Sequence, residues 1–218
     1  MEADTIRQIV DEVMATLTNE GTNELPGIQV GVSARHVHLS PSHVEILFGT
    51  GVELTSYKPL SQPEQFAANE MVTIVGPKGS IHNVRILGPA RGKTQVEVTM
   101  TDALKLGVMP PVRNSGNLDG SAPVTIVGPK GSIYISEGLI IANRHVHMHP
   151  KDAKLYGVKD GDQISLKAFA ERSVRFEYVL VRVSEKYRLD FHIDTDEANA
   201  CLLKTGDKVK FLGISRED

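Results

Sequence analysis

The chain has 218 residues, 40% hydrophobic and 23% charged, a globular composition sufficient for one large domain or two small ones. A net charge of −3 with no Lys/Arg block argues against a nucleic-acid partner. No apolar run reaches the length of a membrane span, the N-terminus lacks a signal-peptide pattern, and the single cysteine, Cys201, excludes an internal disulfide and suits a reducing cytosol.

In residues 1–20, Ile6, Ile9, Val10, Val13, Met14 and Leu17 follow the i, i+3, i+4, i+7 spacing of an amphipathic helix. Residues 21–26 read as a polar linker containing Gly and Pro. From Gly27 the pattern changes to short strands, beginning with the alternation of Ile28 to Val32. The triplet His36-Val37-His38 follows. Ser40 and Pro41 then open a short helix that Gly49 ends. Residues 50–69 carry turn residues and predict an excursion with little regular structure. Val72 to Ile81 recurs letter for letter at Val124 to Ile133. Each copy predicts a hairpin around Gly-Pro-Lys-Gly; it lacks the spacing of a phosphate loop. Further strands are expected at Asn83 to Leu87, Gln95 to Thr99, Gln163 to Ala168, Arg175 to Val183, Asp190 to Ile193 and Lys208 to Leu212. Cys201 falls in a packed helix and reads as a buried structural thiol. Many short strands with few short helices argue for a mainly β chain built of small β-barrels with short helical caps.

The triplet returns as His145-Val146-His147, 109 positions after the first and again preceded by Arg. In an extended segment the two histidines share a face and can converge on one cation. Aligning the halves on the triplets places Glu97 and His192 at equivalent points, each at a strand that runs into an acidic N-cap and a short helix. Each half thus offers three ligands, His36, His38 and Glu97 in one and His145, His147 and His192 in the other, an internal duplication. Three protein ligands with an open fourth position is the catalytic zinc pattern. Arg91, six residues before Glu97, is the guanidinium suited to a phosphoryl or carboxylate group. Arg35 and Arg144 point off the histidine face and read as structural. His43, His82 and His149 read as surface residues.

These triplets, together with Gly88-Pro89-Ala90-Arg91, Glu97 and the His192 segment, resemble the PduL-type phosphotransacylases from Gly27 to about Gly213. The resemblance implies exchange of coenzyme A and phosphate on an acyl group, with propanoyl-CoA and phosphate as substrates. It implies two β-barrels, one of residues 27–34 and 143–213 and the other of 35–142. It also implies two Zn2+ per chain on the six ligands, Arg91 at the phosphate, and Ser33, Ser115 and Asn199 as polar residues near the substrate. Relatives in bacterial microcompartments carry an N-terminal extension like residues 1–20. Shell or cargo proteins are therefore expected partners, the cytoplasmic microcompartment lumen the expected location, and a homo-oligomer the expected assembly. The competing readings are a dinuclear zinc hydrolase of a thioester or phosphate ester and a non-catalytic shell-binding module.

Overall fold

A computed structural model describes residues 25–215, so the helix expected over residues 1–20 lies outside the described residues. The chain opens with β1 (Ile28–Ser33), β2 (His36–His38), α1 (Pro41–Phe48), β3 (Ser56–Pro59), β4 (Phe66–Val75) and β5 (Ser80–Gly88). Then come β6 (Gln95–Glu97), α2 (Met100–Leu106), β7 (Val112–Arg113), β8 (Ala122–Val127) and β9 (Ser132–Ala142). The last third holds β10 (His145–Met148), α3 (Pro150–Tyr156), β11 (Gln163–Ala168), β12 (Val174–Val183), β13 (Asp190–Asp194), α4 (Thr195–Cys201) and β14 (Lys208–Ile214). No helix among the described residues is long and apolar enough to cross a membrane.

The strands form two six-stranded barrels. One closes in the order β1-β13-β10-β12-β11-β14. The other closes as β4-β5-β2-β6-β9-β8, with β3 added at β4 and β7 at β9. The two rings match strand for strand. β10 lies parallel to β12 and antiparallel to β13, which is parallel to β1; β2 lies parallel to β5 and antiparallel to β6, which is parallel to β9. The mainly β fold of two duplicated small barrels is therefore as the sequence led us to expect.

The chain crosses between barrels twice, at matched points. β1 belongs to the first barrel and β2 to the second; β9 belongs to the second and β10 to the first. The cores respect this exchange. Ile28 and Val30 of β1 pack with Val146, Phe191 and Val209, while Val37 packs with Val96, Leu139 and Ile86. Residues 25–26, read as linker, are tied to the first barrel. Leu25 packs on its core and the Tyr156 hydroxyl donates to Pro26 O.

The identical decapeptides do something the sequence did not reveal. They form the β4–β5 and β8–β9 hairpins, which lie side by side with Ile74 opposite Ile126. Each two-residue turn docks on the C-terminal end of a helix. Lys78 N–H donates to Leu106 O of α2 at 3.0 Å, and Lys130 N–H donates to Leu47 O of α1 at 3.0 Å. The last carbonyls of a helix have no intrahelical partner, so each turn caps a helix that its own sequence ends abruptly. The second barrel is thus twice a strand, a helix and a hairpin, each hairpin capping the other unit's helix.

Two details differ from the sequence expectation. Within 50–69, residues Ser56–Pro59 form β3 and β4 already starts at Phe66. The N-caps before α2 and α4 are Thr99 and Asp194, so one of the two is not acidic; both accept from a backbone N–H three residues on. Cys201 is fully buried at the end of α4.

Candidate active site between the barrels

Strand alternation sets up the site. Val37 and Val96 enter the second barrel's core, which turns His36, His38, Gln95 and Glu97 to its outer face. Val146, Phe191 and Ile193 enter the other core, which turns His145, His147, Asp190 and His192 outward in the same way. The register then places Glu97 opposite His36 and His192 opposite His145. The two outer faces meet at a cleft lined by Ser33, Arg35, His36, Glu97 and Thr99 from one crossing and by Asn143, His145, His192 and Asp194 from the other.

The first trio is compact. Ligand atoms of His36, His38 and Glu97 lie within 4.8 Å of one another, and among the described residues no other three His, Cys, Asp or Glu do so. The second trio is gathered by its rings. Centroids of His145, His147 and His192 are 4.7 to 5.2 Å apart, with His145 and His192 stacked at 6°.

Tautomers follow from the backbone. The Nδ1 of His36 is 2.9 Å from Ala34 O, and that of His145 is 2.8 Å from Asn143 O. A carbonyl can only accept, so both Nδ1 atoms carry the proton and both Nε2 atoms are left for another partner. His36 Nε2 lies 3.4 Å from Glu97 Oε2. Burial opposes charge on His36, but the Glu97 carboxylate beside it prevails and raises its pKa. Burial likewise opposes charge on Glu97, and His36 overrides it and lowers the carboxyl well below its usual range. Without a metal these two form an imidazolium–carboxylate pair. His38, His145 and His147 stay neutral. Burial, then His36 and Arg91, push His38 down to about 3. Burial and His192 push His145 to about 4, and burial and His145 push His147 to about 2.

The residues fit a metal. Neutral imidazoles and a carboxylate are the donors zinc accepts. His147 Nδ1 and His192 Nε2 are buried without a hydrogen-bond partner, the condition a ligand would relieve. His192 Nε2 is 3.1 Å from Asp190 Oδ2 but not aligned for a hydrogen bond.

Sequence reasoning missed the residues that hold these side chains. Gln95, 3% exposed, donates to Glu97 Oε1 and to Ser115 Oγ and accepts from Gly116 N–H at 2.8 Å. Asp190 occupies the equivalent place, two residues before His192. Their signal was the alternation itself, since each shares a face with the third member of its trio, Glu97 or His192. Ser115 touches Gln95, and Ser33 lines the cleft. Asn199 is exposed on α4, outside the cleft lining. Arg91 is exposed on the β5–β6 connection, its N–H bonded to Leu39 O at 2.8 Å, and its charge reaches His36 and His38. Arg35 and Arg144 brace matched helices. Arg35 Nε binds Asp102 of α2 at 2.8 Å, and Arg144 Nε binds Glu197 of α4 at 2.7 Å. His149 is the N-cap of α3, and His43 is half-buried against Thr94.

A family described as phosphate propanoyltransferase matches residues 29–204. Proteins named phosphate propanoyltransferase from three organisms align along nearly the whole chain. The one from Thermotoga maritima is 55% identical over 210 residues, 96% of this chain and 98% of that protein. The one from Priestia megaterium is 56% identical over 207 residues, 95% of each. The one from Lachnoclostridium phytofermentans is 53% identical over 214 residues, 97% of this chain and all of that protein.

Proposed function

The chain belongs to the phosphate propanoyltransferase family, and from that membership we propose that it converts propanoyl-CoA and phosphate to propanoyl phosphate and CoA at the cleft between the barrels. The observation that carries the reading is the pair of matched strand faces, one from each barrel, that direct imidazole and carboxylate groups into a shared cleft. His36, His38 and Glu97 would hold one zinc, and His145, His147 and His192 a second. Zinc bound there supplies a Lewis acid and a charge that favours thiolate near neutral pH.

The chain's own groups do the rest. Arg91 receives phosphate, which its planar fork can grip through two oxygens. With His36 neutral, as a bound metal would require, Glu97 would make the first trio one charge more negative than the second, so the two sides of the cleft would be unequal. Gln95 fixes the Glu97 carboxylate, and Ser115 in turn steadies Gln95. Ser33 is the remaining polar group offered to substrate within the cleft, whereas Asn199 stands outside its lining. Transfer is direct: a phosphate oxygen bonds to the thioester carbonyl carbon, the C–S bond breaks, and CoA leaves as thiolate. Holding both substrates in one cleft supplies the proximity this needs.

Two measurements test this. The purified chain should carry two zinc ions, and His145→Ala should carry one. Arg91→Ala should lose about 100-fold in phosphate-dependent turnover with metal content unchanged, and Arg91→Lys should recover little, because an ammonium lacks the planar fork. A zinc-free active enzyme, or unchanged phosphate saturation in Arg91→Ala, sinks the reading. CoA thiol release that does not need phosphate would favour a hydrolase instead.

Residues 1–20 extend the proposal to location. Their apolar stripe favours docking on a microcompartment shell protein or on another copy of the chain. Deleting them should leave turnover within about twofold of the full chain, since a polar segment separates them from the barrels. Loss of a fused reporter's localisation to compartments should accompany the double change Ile9→Glu and Val13→Glu; a truncated enzyme that is inactive or unfolded refutes the assignment.

A further inference from the structure

Three of the four triplet histidines are oriented by backbone hydrogen bonds. His36 and His145 donate to Ala34 O and Asn143 O, and His38 bonds to the Leu87 backbone. His147 differs: its buried Nδ1 has no hydrogen-bond partner. Against it instead lies the ring of Tyr187, 4.2 Å away between centroids and tilted by 36°. The Arg182 guanidinium stands 5.9 Å from that same ring.

Tyr187 sits on the connection between β12 and β13, residues 184–189. A connection of equal length, 89–94, joins β5 and β6 in the other barrel. There the equivalent residue is Gly92, with no atom within 4 Å of the place a Cβ would take. The aromatic ring is thus peculiar to one copy of a duplicated site, the copy whose second histidine lacks a polar anchor.

The connection is also pinned from outside its own barrel. Gln62, 4% exposed on the turn between β3 and β4, donates Nε2 to Arg188 O at 3.1 Å and accepts Arg188 N–H at Oε1, 3.2 Å. An amide paired on both sides fixes the backbone next to Tyr187.

We propose that Tyr187 is a positioning residue that orients His147 where the other three triplet histidines use the backbone, and that Gln62 of the second barrel holds it there. This deepens the reading of His147 as a metal ligand and rests on it. Its consequence is that the seating of one barrel on the other sets the orientation of a histidine packed directly behind the cleft-lining His145 and His192. The ring supplies a flat wall rather than a hydrogen bond, so its hydroxyl is dispensable for this role.

The test uses the full chain and Tyr187→Ala, Tyr187→Phe and Gln62→Ala. In protein freed of metal by chelation, two-bond 1H–15N spectra of the histidine rings report orientation and tautomer. Wild type and Tyr187→Phe should show one tautomer at His147. Tyr187→Ala should show averaged Nδ1 and Nε2 signals at His147, with His38 unchanged, and Gln62→Ala should shift towards that pattern. Zinc affinity, read by competition with a chromophoric chelator, should fall about 10–100-fold for one of two ions in Tyr187→Ala and by less than about threefold in Tyr187→Phe. Unchanged His147 signals in Tyr187→Ala overturn the proposal, as does a Tyr187→Phe loss equal to that of Tyr187→Ala. Should Tyr187→Ala fail to fold, Gln62→Ala decides by the same spectra. A wild-type chain that binds no zinc overturns the metal reading, while the ring spectra still decide the positioning role.

Discussion

In the absence of metal, the protein is expected to lose stability steeply as pH falls from 6.5 towards 4. His38, His145 and His147 are held in the folded state at about 3, 4 and 2, with burial the leading cause in each. Unfolded, each returns to about 6.5. Below that value the unfolded chain binds protons that the folded chain refuses, so stability falls with falling pH. Each group contributes about 1.4 kcal/mol per pH unit inside its window. Three together give about 3–4 kcal/mol per unit, after a discount for the partial exposure of His145. The His36–Glu97 pair does not cancel this. His36 is raised, so its contribution is complete at acid pH and disappears only as pH climbs through its folded value. Glu97 is lowered, so its contribution holds until pH drops below about 4. About two pH units should therefore remove much of a typical stability of about 5–15 kcal/mol. Zinc requires the same histidines unprotonated, so adding it at pH 7 should move the acid midpoint down. Circular dichroism against pH, with and without chelator, measures both. A metal-free chain as stable at pH 4.5 as at pH 7 would show that these histidines are not held neutral.

What was legible in the sequence was whatever repeats or alternates. The triplets 109 positions apart announced the two barrels, and aligning them put Glu97 and His192 at places that prove to face His36 and His145 across a ladder. The start of β4 was hidden because its register with β5 shifts between Ala67 and Met71, which breaks the two-residue period that sequence reading depends on. Gln95 was hidden by brevity, since β6 has three residues and its outward face contains just Gln95 and Glu97. Tyr187 and Gln62 lie on connections, and Gln62 bonds to Arg188, the residue after Tyr187, across 126 positions of chain, a contact no local pattern encodes. The hairpin repeat was visible in full, yet its purpose was not, because a turn's sequence does not name the helix it will cap.

That capping yields the second large effect. Gly128→Ala and Gly76→Ala should each destabilise the protein by about 3 kcal/mol. A Cβ on Gly128 would lie 2.5 Å from Leu47 O and 2.8 Å from Leu47 Cβ; one on Gly76 would collide with Leu106 O and lie 2.8 Å from Leu106 Cβ. These obstacles are mostly backbone, at the end of a helix, and cannot rotate aside as a side chain would. The turn must lift, and lifting it breaks the bond from Lys130 N–H to Leu47 O or from Lys78 N–H to Leu106 O. Lys130→Ala is the control. It keeps the backbone N–H and removes only a cation near a helix C-terminus, an effect of about 0.3–1 kcal/mol. Urea unfolding of the three variants separates backbone docking from side-chain charge, and a glycine variant within about 0.5 kcal/mol of wild type would refute the docking argument. The damage should also reach the cleft. α1 starts three residues after His38 and α2 three after Glu97, so a helix end that has lost its cap loosens the strands presenting the first trio. Metal affinity at His36, His38 and Glu97 should therefore fall in both glycine variants and hold in Lys130→Ala.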